Sequence, residues 1–385
     1  MFDLASPGPQ KPVVVISDTH FGEDLATLGA TTHDVTRGAP AAATLAYLIR
    51  ALERLGPLDE IVLLGDIWEM WGAPFSLAHR EASPFLARLS SLPVERITYV
   101  PGNHDYHLLI QHIEQDQTAY LRRGERPPRR YQADYTYTDS FLVGLLGPQI
   151  RDRFVVKYPD YVRTIGTRRV AFHHGHHLAT LKGGDLFASF PMLILKQLEG
   201  VGLATLTRED LERGISIFYE MVYAGSLGDR TPDRLQAYWQ QVQGWKTWWG
   251  WTLLARIRDL LRSSSSMRER GTPEVDVERF ADSAHWLLRL MAAEAGPGFV
   301  APDILVFGHS HRSGLASAAL PGGETLHLLN SGCWLVEPHK RNTDHVNTLA
   351  ILDAEHAGVY KLDGDQLVLR EAIPLTRPEV IRAWP

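Results

Sequence analysis

The sequence predicts a layered α/β domain interrupted by a long helical insertion, and three observations carry that expectation. Five short apolar runs, rich in β-branched residues, each stop abruptly at a polar cluster. Stretches with helical spacing separate the early runs, an alternation that argues for layered α/β architecture. Residues 178–302 then break the alternation with long helical patterns, over a length that a structureless connection in a compact domain does not reach.

Taken in order, Val13-Val14-Val15-Ile16 reads as a strand buried on both faces, ending at Ser17-Asp18-Thr19-His20. Ala41 to Leu55 carries apolar residues at helical intervals. Ile61 to Leu64 is the second strand, stopping at Gly65-Asp66, and Phe85 to Leu89 closes a short helix. Ile97 to Val100 stops at Pro101-Gly102-Asn103-His104-Asp105, and Val170 to Phe172 runs into His173-His174-Gly175-His176-His177. Within the insertion, helices are expected over Leu203–Ala224, Pro232–Leu261 and Val275–Ala295, with a break at Ser263–Ser266, Gly271 and Pro273. Ile304 to Phe307 resumes the strand pattern and stops at Gly308-His309-Ser310-His311. Thr325–Leu329, Thr348–Leu352 and a hairpin turning at Asp363-Gly364 complete the domain. The expected organisation is residues 1–177 and 303–385 as one domain, with 178–302 as a helical insertion or cap.

Composition narrows the class. The 385 residues are 44% hydrophobic and 22% charged, which excludes a disordered chain, a collagen-like repeat and a disulfide-stapled mini-protein. Forty-five acidic against 39 basic residues give a formal charge of −6, so no nucleic acid is expected as a partner. The single cysteine, Cys333, forms no internal disulfide. No signal-peptide pattern opens the sequence and no apolar run is long enough to span a bilayer, so the expected setting is cytoplasmic. Histidine is frequent, at 17 residues.

Ligands gather where the strands of such sheets end, and the polar clusters fall there. Carboxylate, amide oxygen and neutral imidazole suit Mn²⁺, Fe or Zn²⁺. The clusters offer Asp18, His20, Asp66, Asn103, His174, His309 and His311. An Asp-x-His pair such as Asp18-x-His20, following a strand, can place both side chains on one side.

The ordered set Asp-x-His, Gly-Asp-x-x-Glu, Gly-Asn-His-Asp, His-Gly and Gly-His-x-His resembles the calcineurin-like metallophosphoesterases, over residues 12–178 and 302–370. The resemblance implies a layered β-sandwich of mixed sheets flanked by helices. It also implies two divalent metal ions, Mn²⁺ foremost with Fe or Zn²⁺ as alternatives. One would be held by Asp18, His20, Asp66 and His311, the other by Asp66, Asn103, His174 and His309, with Asp66 shared. His104 matches the histidine that assists the leaving group. Glu69 and Asp105 are both candidates for the acid that orients it. Such a centre, with its cations about 3.5–4 Å apart, activates water against phosphorus. The expected function is therefore hydrolysis of a phosphoester or pyrophosphate bond in a phosphate-containing substrate.

Gly65-Asp66-Ile67-Trp68-Glu69-Met70-Trp71 is also similar to the second motif of the UDP-2,3-diacylglucosamine pyrophosphatases, which makes a lipid-linked nucleotide pyrophosphatase the alternative. The chain departs from them in having His104 after Asn103, where they have Arg, and in its longer insertion. A nuclease or a non-enzymatic adaptor of the same fold stands further off, because the net charge gives no support for the basic groove a nuclease would show and every expected ligand type is present. Trp239, Trp245, Trp248, Trp249 and Trp251, followed by Arg256, Arg258 and Arg262, suit either a cap packing its own core or a contact with a membrane or lipid. His176 stands where many relatives have an acid. His33, Asp34 and His107 read as structural.

Overall fold

Four consecutive apolar residues, all of them β-branched, make Val13–Ile16 a strand (β1) whose alternate side chains are buried on opposite faces. In the computed structural model, Val13 and Val15 join one apolar cluster while Val14 and Ile16 join another. The described residues are 11–127, 135–137, 148–183, 186–226, 277–320, 323–338 and 341–375.

After β1 come the short pair β2 (His33–Asp34) and β3 (Ala39–Pro40), then α1 (Ala41–Arg54). α1 buries Ala41, Leu45, Leu48, Ile49 and Leu52, the spacing of one helical face. β4 (Leu58–Leu63), α2 (Phe75–Ser91), β5 (Val94–Tyr99) and α3 (Tyr106–Arg122) follow. β6 (Tyr135–Tyr137), β7 (Phe154–Tyr158), β8 (Asp160–Ile165) and β9 (Arg168–His173) lead to the helices α4 (His176–Lys182), α5 (Leu186–Glu199), α6 (Arg208–Ser226) and α7 (Ala281–Ala295). The chain then forms β10 (Ile304–Phe307), β11 (Gly314–Ala319), β12 (Thr325–Asn330), β13 (Thr348–Leu352), β14 (His356–Asp363) and β15 (Gln366–Pro374).

One mixed sheet has the order β15-β14-β13-β1-β4-β5-β7-β6, and a second the order β11-β12-β10-β9-β8. β1, β4, β5 and β7 are mutually parallel, as are β9, β10 and β12. Val13, Val15 and Val62 from the first sheet pack on Val170, Phe172, Ile304 and Val306 from the second, forming the core between the sheets. The outer face of the first sheet packs on α1 and α2 through Leu48, Leu52, Phe85 and Leu89. The outer face of the second packs on α4 and α7 through Leu178, Leu287 and Leu288. The result is the expected β-sandwich with helices on both sides. Glu60 is fully buried and meets Arg163, Tyr161 and Thr98, so its charge is compensated.

The structure differs from the expectations in detail. α2 starts ten residues before Phe85, hidden in sequence by the polar His79-Arg80-Glu81 and by Pro84 within the helix. α6 begins at Arg208 rather than Leu203, and α7 at Ala281, after a 3-10 turn over Val277–Phe280. β2, β3, β6, β7, β8, β11, α3, α4 and α5 have no counterpart among the expected elements. The helix expected over Pro232–Leu261, the break after it and the Trp-rich run lie outside the described residues. No helix among the described residues is long and apolar enough to cross a membrane.

Candidate metal centre

The parallel pairing puts the C-terminal ends of β1, β4 and β5 side by side, and likewise those of β9 and β10. Beyond β1 and β4 the two loops keep pairing: Asp18 N–H donates to Gly65 O, His20 N–H to Asp66 O and Phe21 N–H to Ile67 O, each at 3.0 Å. Asp18, His20, Asp66, His309 and His311 all have positive φ, between 44° and 66°, a region sparsely used by residues with a Cβ. Among the described non-glycine residues only Arg341 and Asn347 share it. The strain thus concentrates on five of the seven residues proposed as ligands. Glycines allow the close approach: a methyl group on Gly102 would overlap the Asp66 carboxylate, and one on Gly308 the Asp18 carboxylate.

The seven side chains converge. His20 Nε2 faces His311 Nε2 at 3.1 Å, and His311 Nε2 lies 3.3 Å from Asp18 Oδ1. Asn103 Oδ1 lies 3.1 Å from His174 Nε2 and 2.7 Å from His309 Nδ1. Asp66 stands between the two groups. Its Oδ1 accepts the His104 N–H at 2.8 Å, while Oδ2 lies 3.2 Å from His174 Nε2 and 3.7 Å from His20 Nε2. Asp18, His20 and His311 form one set with donor atoms close enough to share an ion; Asp66, His174 and His309 form another.

These residues fit a pair of cations. The Nδ1 atoms of His20 and His311 lie on the carboxylates of Glu69 (3.0 Å) and Glu337 (2.5 Å), which places the ring protons there and turns two lone pairs toward each other. His174 Nδ1 likewise donates to Leu64 O at 2.8 Å, so Nε2, 3.1 Å from the Asn103 oxygen, is the atom it offers a cation. Burial lowers this ring's pKa, but Asp66 and Asp18 outweigh it and raise it to about 9. Acceptors opposed at about 3 Å match adjacent ligands around a cation with bonds of about 2.1 Å. Asp18, Asp66 and Glu69 are buried carboxylates whose ion pairs, among the described residues, are all with histidines. Burial alone would push the Asp66 carboxyl up, but His174, His104 and His20 hold it well below the usual carboxylate range. Burial pushes His309 down to about 3, with His174 adding to the effect, so this ring stays neutral.

Sequence left Glu69 and Asp105 level as partners of His104, and their contacts differ. Glu69 Oε2 lies 2.6 Å from His104 Nδ1, while Oε1 accepts the N–H groups of Trp71 and Gly72 at 2.7 Å each. Burial lowers the His104 pKa, yet Glu69 and Asp66 outweigh it and raise it to about 9. Asp105 turns its carboxylate to backbone instead, accepting from Ile67 N–H at 2.8 Å and Gly102 N–H at 2.7 Å. It ties the loop after β4 to the loop after β5. Trp71 stacks on His104, with centroids 4.1 Å apart and planes inclined by 28°. A cavity of about 540 Å³ opens over His20, Asp66, Asn103, His104, His309 and His311.

Sequence reasoning missed several contributors. Glu337 gave no signal, since its contact with His311 depends on how an irregular loop folds. Glu212, on α6, is buried and accepts from Tyr106 Oη (2.7 Å), Tyr158 Oη (2.9 Å) and His177 Nε2 (3.0 Å). His176 is buried with Nε2 on Tyr158 Oη at 3.2 Å, and it also lines the cavity. His173 is turned to its own loop, where Nδ1 accepts the Gly175 N–H at 2.8 Å. The segment Asn330-Ser331-Gly332-Cys333-Trp334 braces the centre: Ser331 Oγ meets Ser17 Oγ at 2.7 Å, and Trp334 N–H donates to Asp18 O at 2.9 Å. Asp34 is buried among Thr36, Thr44 and Asn347, and His107 pairs with Glu220, both structural contacts.

Comparison with known proteins gives a match between residues 11–313 and the model of the calcineurin-like phosphoesterases. No curated protein matches at the significance required. Among solved structures, vacuolar protein sorting 29 from Cryptosporidium parvum is 11% identical with a TM-score of 0.33, over 96% of this chain and 100% of that one. A protein of unknown function from Aquifex aeolicus is 15% identical with a TM-score of 0.22, over 55% and 73%. Scores this low say nothing about activity.

Proposed function

The chain belongs to the calcineurin-like phosphoesterase family, and from that premise we propose that it hydrolyses a phosphoester or pyrophosphate bond with the help of two divalent cations. One cation would be held by Asp18, His20, His311 and Asp66, and the other by Asp66, Asn103, His174 and His309. The observation that carries this reading is Asp66, whose Oδ1 is tied to backbone while Oδ2 stands between His20 and His174. Cations bound there supply Lewis-acid polarisation of phosphoryl oxygens and a water of lowered pKa. The all-nitrogen-and-oxygen donor set suits Mn²⁺, with Fe and Zn²⁺ as competitors.

The chain's own groups do the rest. Glu69 keeps the proton of His104 on Nδ1 in the neutral ring and supports the imidazolium when both nitrogens are protonated, so Nε2 is the atom left for the substrate. That ring donates to a phosphoryl oxygen or to the departing alkoxide. Asp105 holds the two loops in register through backbone N–H groups. Of the described helices that follow β9, α4, α5 and α6 cap the site and carry part of the cavity wall, joined by Phe280 just before α7.

The test is metal content and calorimetric titration with Mn²⁺, together with a panel of phosphomonoesters, phosphodiesters and pyrophosphates. Two equivalents and turnover on at least one class are expected, and Asp66→Ala should lose both. Full loading and full activity in Asp66→Ala would refute the assignment.

A further inference from the structure

The cavity over the centre is not uniformly polar. Below lie the histidines and carboxylates already described, but one wall is made of Trp71, Phe218 and Tyr219, with Phe280 also lining the cavity. Trp71 comes from the loop after β4, whereas Phe218 and Tyr219 come from α6, so two distant parts of the chain meet in this wall. Trp71 lies flat against His104 and is itself crossed by Tyr219, centroids 5.5 Å apart and planes inclined by 53°. Phe218 continues the wall at 5.7 Å from Tyr219.

α6 is held in that position by something more specific than apolar packing. Glu212, six residues before Phe218, takes three hydrogen bonds from three separate elements: Tyr106 of α3, Tyr158 of β7 and His177 of α4. One misplaced donor would leave a buried polar group unpaired, so the seat of α6 is sharply defined. A wall built to that tolerance can select its ligand by shape.

We infer that Trp71 and Tyr219 determine specificity, selecting phosphoesters whose organic group is a planar aromatic ring placed next to the phosphorus. This inference rests on the phosphoesterase reading of the same site and names its substrate class. The phosphoryl end belongs at the histidine and carboxylate floor. His104 joins that floor to the wall, since it lies under Trp71, so a ring attached close to phosphorus comes up against the parts of Trp71 and Tyr219 that line the cavity. A flat ring meets them in the offset or edge-on arrangements that aromatic pairs prefer. A flexible chain gains no such geometry and loses rotamer freedom on binding.

Non-hydrolysable probes separate recognition from leaving-group reactivity. The experiment is calorimetric titration of the Mn²⁺-loaded protein with phenylphosphonate and with methylphosphonate, for wild type, Tyr219→Leu and Trp71→Leu. Stacking is expected to give phenylphosphonate about a tenfold advantage in wild type. That ratio should fall toward one in either variant. A wild-type ratio near one, or a ratio retained in both variants, would overturn the inference while leaving the hydrolase reading intact. Binding of neither phosphonate to the loaded wild-type protein would instead sink the phosphoesterase reading itself. If Tyr219→Leu fails to fold, as a thermal melt would reveal, the partly exposed Trp71 position decides the question alone.

Discussion

Replacing Glu69 by Gln perturbs four contacts of one side chain in opposite ways. The amide oxygen of Gln can still accept the Trp71 and Gly72 N–H groups, both at 2.7 Å in the wild type, so the loop and the fold survive. The amide nitrogen then replaces Oε2, which lies 2.6 Å from His104 Nδ1 and 3.0 Å from His20 Nδ1. A donor now faces two ring N–H groups. Each imidazole relieves the clash by moving its proton to Nε2, the nitrogen that His20 needs bare as a ligand. Loss of one such orienting partner weakens metal affinity or activity about 10–100-fold, or about 1.4–2.7 kcal/mol. Here one substitution disturbs two rings, so the upper end is expected: about 100-fold weaker Mn²⁺ binding at the Asp18/His20/His311 group and a comparable drop in kcat. Calorimetric titration reads the first and steady-state kinetics the second, with a urea melt confirming an unchanged fold. Wild-type Mn²⁺ affinity with kcat within about threefold would refute this account of Glu69.

Other perturbations separate the roles of neighbouring groups. His104→Ala should lower kcat about 100-fold while two equivalents of metal remain by elemental analysis, and loss of metal would make His104 a ligand instead. Gly308→Ala should destabilise the fold by about 1–3 kcal/mol in urea denaturation, because its methyl group would overlap the Asp18 carboxylate; an unchanged midpoint would show that the loop gives way freely. Glu212→Leu strands three buried donors at about 1–3 kcal/mol each, and Glu212→Gln should recover part of that loss. Equal stability of the two variants would mean that packing rather than hydrogen bonding seats α6.

The strands that carry the centre were legible because burial on both faces forces continuous apolar runs, as in Val13–Ile16 and Ile304–Phe307, and because each stops where a polar side chain is needed. β13 was legible to the residue for the same reason. α3 was not, since His107, Gln111 and His112 interrupt its apolar spacing and its start is masked by the Asn103-His104-Asp105 cluster. β11 is made largely of alanine, glycine and serine, which carry no strand signal. Residues that act through loop conformation were the least accessible. Glu337 reaches His311 across 26 positions, and Glu212 gathers partners from three elements, distances that no local spacing encodes.

The left-handed turns at Asp18, His20, Asp66, His309 and His311 bear on how this protein can evolve. Each such turn costs a residue with a Cβ about 1–2 kcal/mol, so mutation to glycine would relax the backbone at every one of them. Selection for a sturdier metal-free chain and selection for turnover therefore oppose each other at the same five codons. A descendant freed from hydrolysis is expected to shed these side chains early while both sheets persist, leaving a scaffold whose ancestry survives in its topology alone.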